Sequence, residues 1–170
     1  KDYWTKGINF SAKMQAMLPV GLNVVLSAQK IKPEATGIMM YDAGLNFHRH
    51  GWVIEAEYLY KHYDNGAFRP VHAVDAFVNY DIAMKKGCFT KISPLLRYDY
   101  MTDHSEKDKG GSLIVNDYRR SRVTGGVTLS LDKPFVSDIR INYEKYFYAT
   151  GAIAKPSERD KIVIEVVTHF

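Results

Sequence analysis

Asp160-Lys161-Ile162-Val163-Ile164-Glu165-Val166-Val167-Thr168-His169-Phe170 is the stretch from which the rest of the chain is read. Taken in twos, Ile162, Ile164, Val166, Thr168 and Phe170 fall on one side. Lys161, Val163, Glu165, Val167 and His169 fall on the other. A period of two is that of a β-strand, whose successive side chains point to opposite faces. One face is almost wholly apolar, and the other sets three ionisable groups among two valines. About eleven residues is also the length at which a tilted strand crosses a bilayer. An edge strand of a soluble sandwich would show the same alternation, so the remaining chain has to separate the two.

The same alternation recurs eight more times. It predicts strands over Ile8 to Leu18, Leu22 to Gln29, Ile38 to Phe47, Trp52 to Lys61, Val74 to Ala83, Phe89 to Met101, Arg122 to Leu131 and Ile139 to Tyr148. Pro94 in the sixth and Gly125-Gly126 in the seventh mark expected bulges or bends. Helical periodicity is nearly absent. With 170 residues, the chain is read as one domain over 1–170 with no internal boundary. No run approaches eighteen apolar residues, which excludes a helical membrane protein but not a barrel, whose lumen-facing half is polar. Twelve Tyr, eight Phe and two Trp suit either aromatic girdles or a sheet-rich core. Cys88 is the only cysteine, so there is no disulfide framework. The net charge of +4 comes with no basic run, and nucleic-acid binding is not expected. The chain opens Lys-Asp-Tyr-Trp, as a mature chain or a piece of a longer one would.

The connections alternate in length. Short ones (Pro19-Val20-Gly21, His48 to Gly51, Lys85 to Cys88, Asp132 to Phe135) follow strands one, three, five and seven. Longer ones (Lys30 to Gly37, His62 to His72, Thr102 to Ser121, Ala149 to Arg159) follow strands two, four, six and eight. Outer-membrane barrels pair tight turns on one side with long loops on the other. Tyr58, Tyr60, Tyr98, Tyr100, Tyr143 and Phe147 gather toward the long-loop ends, as an interfacial belt would.

Several motifs carry a family resemblance. Gly51-Trp52-Val53-Ile54-Glu55-Ala56-Glu57-Tyr58-Leu59-Tyr60 and Leu95-Leu96-Arg97-Tyr98-Asp99-Tyr100 are similar to two strands of phosphate-selective porins of the O and P type, those of Bacteroidetes above all. Thr124-Gly125-Gly126-Val127-Thr128 followed by Ile139-Arg140-Ile141-Asn142-Tyr143-Glu144 resembles their penultimate hairpin. The terminal Phe170 resembles the signal read by the barrel-assembly machinery. The resemblance covers most of the chain from about Tyr41 onward. It implies the C-terminal part of a trimeric barrel of about sixteen strands in a Gram-negative outer membrane, contacting its lipid and passing small solutes or anions such as phosphate. Nine strands is an odd number where single-chain bacterial barrels are even, so further strands are expected before Lys1.

On the polar parity stand seven bases, Lys13, Lys61, Lys91, Arg97, Arg122, Arg140 and Lys161, and eight acids, Asp42, Glu55, Glu57, Asp75, Asp81, Asp99, Glu144 and Glu165. This near balance predicts a weakly selective pore. Its candidate lining is Arg97, Asp99, Arg122, Arg140, Glu144, Glu55, Glu57, Lys61, Lys161 and Glu165, with Arg97, Arg122 and Arg140 aligned as a short basic stripe. The plainer reading of Arg97 and Asp99 is a cross-strand ion-pair network that stiffens the wall. Glu55 and Glu57 could mimic a glycosidase pair, but pairing with bases such as Lys61 is the simpler expectation. His48 and His50 flank a turn with no third metal ligand near in sequence. No G-x-S-x-G, P-loop or Rossmann pattern is present. The expectation is an all-β, antiparallel, up-and-down transmembrane β-barrel acting as a channel, with no catalytic residue, metal or cofactor. The rivals are an outer-membrane barrel enzyme and a soluble lipocalin-like ligand-binding barrel, whose faces would be inverted, apolar in and polar out.

Overall fold

In a computed structural model the chain is described over residues 9–32, 37–66, 68–107, 110, 112–149 and 156–169. Phe170 lies outside the described residues. The strands are β1 (Phe10–Leu18), β2 (Leu22–Ile31), β3 (Ile38–Arg49), β4 (Trp52–Tyr63), β5 (Val71–Tyr80), β6 (Ile82–Ala83), β7 (Lys91–Met101), β8 (His104–Lys107), β9 (Leu113–Asp117), β10 (Arg120–Leu131), β11 (Val136–Tyr148) and β12 (Lys161–His169). One antiparallel sheet runs in the order β1-β2-β3-β4-β5-β7-β10-β11-β12, with β6 continuing β5 along β7. The order follows the chain, because each connection turns straight back to the neighbouring strand. All nine alternating segments form strands. The sheet is not closed: among the described residues no ladder joins β1 to β12.

Turn chemistry sets the hairpins. His50 (φ 51°) and Gly51 (φ 84°) both adopt left-handed φ, as the two central residues of a type I′ turn require, and Arg49 pairs directly with Trp52. At this turn β3 therefore reaches Arg49, two residues further than the alternation alone marks, while β4 begins at Trp52 as expected. The longest loop, Thr102 to Ser121, itself folds back as the short strands β8 and β9. Its β8–β9 hairpin packs on the β4–β5 connection through Tyr63 OH, 3.2 Å from His104 Nε2, and the Arg69 N–H, which donates to Ser105 Oγ at 3.4 Å.

The expected bulges are not where they were placed. β7 runs through Pro94 with unbroken register against β10, where Val127 faces it. The interruption appears in the neighbour instead. The β5–β7 ladder stops at Asn79↔Leu95 and resumes as β6 at Ile82↔Ile92. Pro94 has no N–H to donate across that gap. Gly125-Gly126 likewise keeps register on both sides. A Cβ on Gly126 would stand 1.9 Å from Asn142 Oδ1 and 2.8 Å from the Ile141 carbonyl oxygen, whereas one on Gly125 meets nothing within 4 Å. Gly126→Ala is expected to cost about 1–2 kcal/mol and Gly125→Ala less than about 0.5 kcal/mol, measured by urea unfolding. Equal costs would refute this account of the pair.

The register slopes steadily across the sheet. The row through Leu18 and Leu22, beside the first turn, continues through Phe47, Ile54, Val78, Leu96, Gly125, Tyr143 and Ile162. At β10 this row is still six residues short of the strand end at Leu131, five ladders away from β2. Six residues at about 3.3 Å against five strand spacings at about 4.8 Å is a slope of about 40°. The strands thus tilt against the line of turns by the angle at which barrel strands tilt against their axis.

There is almost no core. Among the described residues only Tyr63 and Val71 are buried apolar side chains, and both sit at the loop end. The accessible surface is 12000 Å². A compact folded monomer of this mass exposes about 8500 Å².

Candidate functional site

Register converts the alternation into two continuous faces. Every cross-strand partner of an apolar-parity residue keeps that parity, as in Met14↔Leu26↔Ala43↔Tyr58↔Val74↔Tyr100. The apolar face is the exposed one. Ile162, Ile164 and Val166 are 66–68% exposed, and Leu96, Tyr98, Ile141, Tyr143 and Phe147 are exposed as well. Tyr58, Tyr60, Tyr98, Tyr100, Tyr143 and Phe147 all belong to this face, and at its turn end Trp52 packs on Tyr80 with ring centroids 4.7 Å apart. The charged face is the sheltered one. It is hollowed by a cavity of about 450 Å³ whose lining includes Asp75, Asp99, Arg120, Arg122, Tyr146 and Glu158.

Across this charged face runs an alternating ion-pair network. On β5 and β7, Asp75 and Asp99 stand directly opposite each other, an arrangement that repels unless bridged. Arg97 bridges them: its Nη2 contacts Asp75 Oδ2 and donates to Asp99 Oδ1 at 2.8 Å. Arg122 on β10 donates through Nε to Asp99 Oδ2 at 2.9 Å and through Nη1 to Glu144 Oε2 at 3.3 Å. Tyr146 OH donates to Glu144 Oε2 at 2.7 Å, and Lys161 Nζ on β12 stands 3.5 Å from the same oxygen. Three acids and three bases thus alternate from β5 to β12. Half-buried charges of this kind hold a wall rigid because removing one leaves its neighbours desolvated and unpaired.

Arg140 is not part of the stripe expected for it. Its register partners are Thr128 and Glu165, whereas Arg97 stands across from Thr124, four residues away along β10. Arg140 pairs with Glu165 at 3.6 Å. Strand order had placed three arginines on successive strands, but the β10–β11 turn sets their heights. Nor do Glu55 and Glu57 pair with Lys61. Glu55 accepts from Asn46 Nδ2 at 2.8 Å and lies 3.5 Å from His48 Nε2. Glu57 faces Asp75 across the ladder, and Lys61 Nζ rests 4.8 Å from the centre of the Tyr63 ring. Both glutamates, with Asp42, Asp75 and Lys13, line a second hollow of about 320 Å³.

No family model, no curated protein and no solved structure matches this chain. The site is therefore read from its own geometry.

Each of the six bases on the charged face of β7, β10, β11 and β12 has a carboxylate partner. Besides the network, Lys91 pairs with Asp81 at 3.2 Å and Arg120 with Asp117 at 2.5 Å and Glu158 at 3.5 Å. Asp75 stands among the polar-parity acids of the sequence but not in the candidate lining, and Arg120, Tyr146 and Glu158 are in neither set. For Asp75, Arg120 and Tyr146 the signal is parity, since each is on the charged face with Arg122, but only register brings them within reach; Glu158 lies outside the strands, in the turn Pro156–Glu158, and carries no such signal. At the rim, Lys145 Nζ contacts Asp160, and with the Tyr146 N–H it holds that carboxyl below the usual carboxylate range. His50 Nε2 accepts from Arg49 Nε at 3.1 Å. Among the described residues no helix is long and apolar enough to cross a membrane, which says nothing of crossing by strands.

Proposed function

We propose that this chain forms part of the wall of a porin-like channel in a Gram-negative outer membrane, through which small polar solutes diffuse passively. The observation that carries this reading is the inversion of the faces. The apolar face is continuous and exposed, and on the charged face the network side chains from β5 to β12 are half-buried. A lipocalin-like barrel encloses its apolar face. A membrane barrel turns that face to lipid.

Two features favour completion into a barrel. The strands already carry barrel tilt. The edges β1 and β12 run in the same direction, so an odd number of further antiparallel strands closes the sheet, and a closed sheet has no edge to offend lipid. The motif resemblance to the C-terminal part of phosphate-selective porins fits this completion. Trimerisation and delivery by the barrel-assembly machinery through Phe170 follow from the same resemblance.

The pairing of the bases argues for weak selectivity and against a phosphate filter. A guanidinium already shared between two carboxylates has little left to offer a free anion, and opposed charges screen one another over a few ångströms. The test is the single-channel reversal potential in a salt gradient. Arg97→Ala with Arg122→Ala is expected to move selectivity toward cations. Arg140→Ala, whose partner lies outside the network, is expected to leave it nearly unchanged. A strong phosphate block in the wild type would overturn the weak-selectivity reading, and absence of any conductance would overturn the channel.

A further inference from the structure

The four short turns at one end of the sheet are tied into a rim by backbone hydrogen bonds. The His48 N–H donates to the Gly21 carbonyl at 3.0 Å, the Asp81 N–H to Gly51 at 2.7 Å, and the Thr90 N–H to Ser130 at 2.9 Å. This rim carries Arg49, Lys85, Lys86 and Lys133, against the carboxylates of Asp132 and of Asp81, the latter held by Lys91 at 3.2 Å. All four bases are exposed, and among the described residues none has a carboxylate partner, in contrast to the paired bases of the charged face. Directly against them lies the turn end of the apolar face. Arg49 is the ladder partner of Trp52, Trp52 packs on Tyr80, and Phe135 is 64% exposed.

We propose that this rim binds the headgroups of anionic phospholipids in the leaflet at the turn side. The inference rests on the membrane reading above. Unpaired cations standing beside an amphipathic aromatic pair and a lipid-facing strand surface are where the phosphates of a leaflet come to lie. A cation without an internal carboxylate keeps its full attraction for that surface, whereas the network bases have spent theirs internally. Arg49, across the ladder from Trp52, stands beside this pair of aromatic rings, so the headgroup charge and the acyl chain below it would meet matching surfaces.

The test uses the full chain in a Trp4→Phe background, so that Trp52 reports alone. It is reconstituted into vesicles of phosphatidylcholine mixed with phosphatidylglycerol, with one lipid or the other brominated near its headgroup. Quenching of Trp52 gives the relative binding constant of the two lipids. The wild type is expected to prefer phosphatidylglycerol by about threefold or more, and to lose that preference at high salt. The quadruple variant Arg49→Gln, Lys85→Gln, Lys86→Gln, Lys133→Gln is expected to show none. Equal binding in the wild type, or a preference that survives salt or the substitutions, overturns the rim. A wild type with no lipid preference that instead binds polyglutamate would assign the rim to an acidic protein partner and overturn it too. Quenching by neither lipid would mean that Trp52 does not face a bilayer, and the membrane reading would fall with the rim.

Discussion

Ile141→Arg is expected to destabilise the chain folded in a bilayer by about 2–4 kcal/mol, the cost of a charge at mid-depth on a lipid-facing strand surface. Ile141 lies near the middle of β11 on the apolar face, between Val127 and Ile164. It is 38% exposed. In a water-soluble sheet an arginine at so exposed a position would shift stability by less than about 0.5 kcal/mol. The same substituent at Val163, on the opposite face of β12 across from Asn142, is expected to cost less than about 1 kcal/mol, because the guanidinium stays in water. The comparison is made by reversible urea unfolding in lipid vesicles. A small effect at Ile141, or a larger one at Val163 than at Ile141, would reverse the assignment of the faces.

Arg122→Ala is expected to cost about 2–3 kcal/mol, the largest loss from any single change on the charged face. Arg122 is the only described residue in contact with both Asp99 and Glu144, and its side chain is 27% exposed. Its loss leaves Asp99 opposite Asp75 with Arg97 alone to separate them. Arg140→Ala is the control. Arg140 and Glu165 are 43% and 53% exposed, and such pairs contribute about 0.5 kcal/mol. A double-mutant cycle between Arg122 and Asp99 in the same unfolding assay should return a coupling of about 1 kcal/mol or more. Coupling near zero would mean that the wall does not depend on the network.

What the sequence made legible is what a strand determines locally. Alternation is set by the two-residue pleat, so the membership of each face is correct from Phe10 to Thr168 without knowledge of any neighbour. Height along the strand is a different matter, because it depends on where each turn is centred. Arg140 was placed beside Arg97 and Arg122 by strand order, and the centre of the β10–β11 turn moves it away. Pro94 announced an interruption that falls on β5, where the missing N–H is felt. The β8–β9 hairpin had a signal, the run Leu113-Ile114-Val115 bounded by Gly110-Gly111-Ser112 and Asn116-Asp117, but a loop of mixed polarity concealed it. The ion-pair network was legible as residue types on one parity, and its wiring was not, since Asp75, Asp99 and Glu144 come together only once three ladders are in register.

The central claim is that the apolar parity faces lipid and the charged parity faces water. Nitroxide labels placed singly from position 138 to 144 on β11 in reconstituted vesicles measure this directly, through collision with oxygen dissolved in lipid and with a water-soluble nickel complex. The account predicts alternation with a period of two: oxygen access high at 139, 141 and 143, nickel access high at 138, 140, 142 and 144. Alternation in the opposite phase, or nickel access at every position, would contradict it.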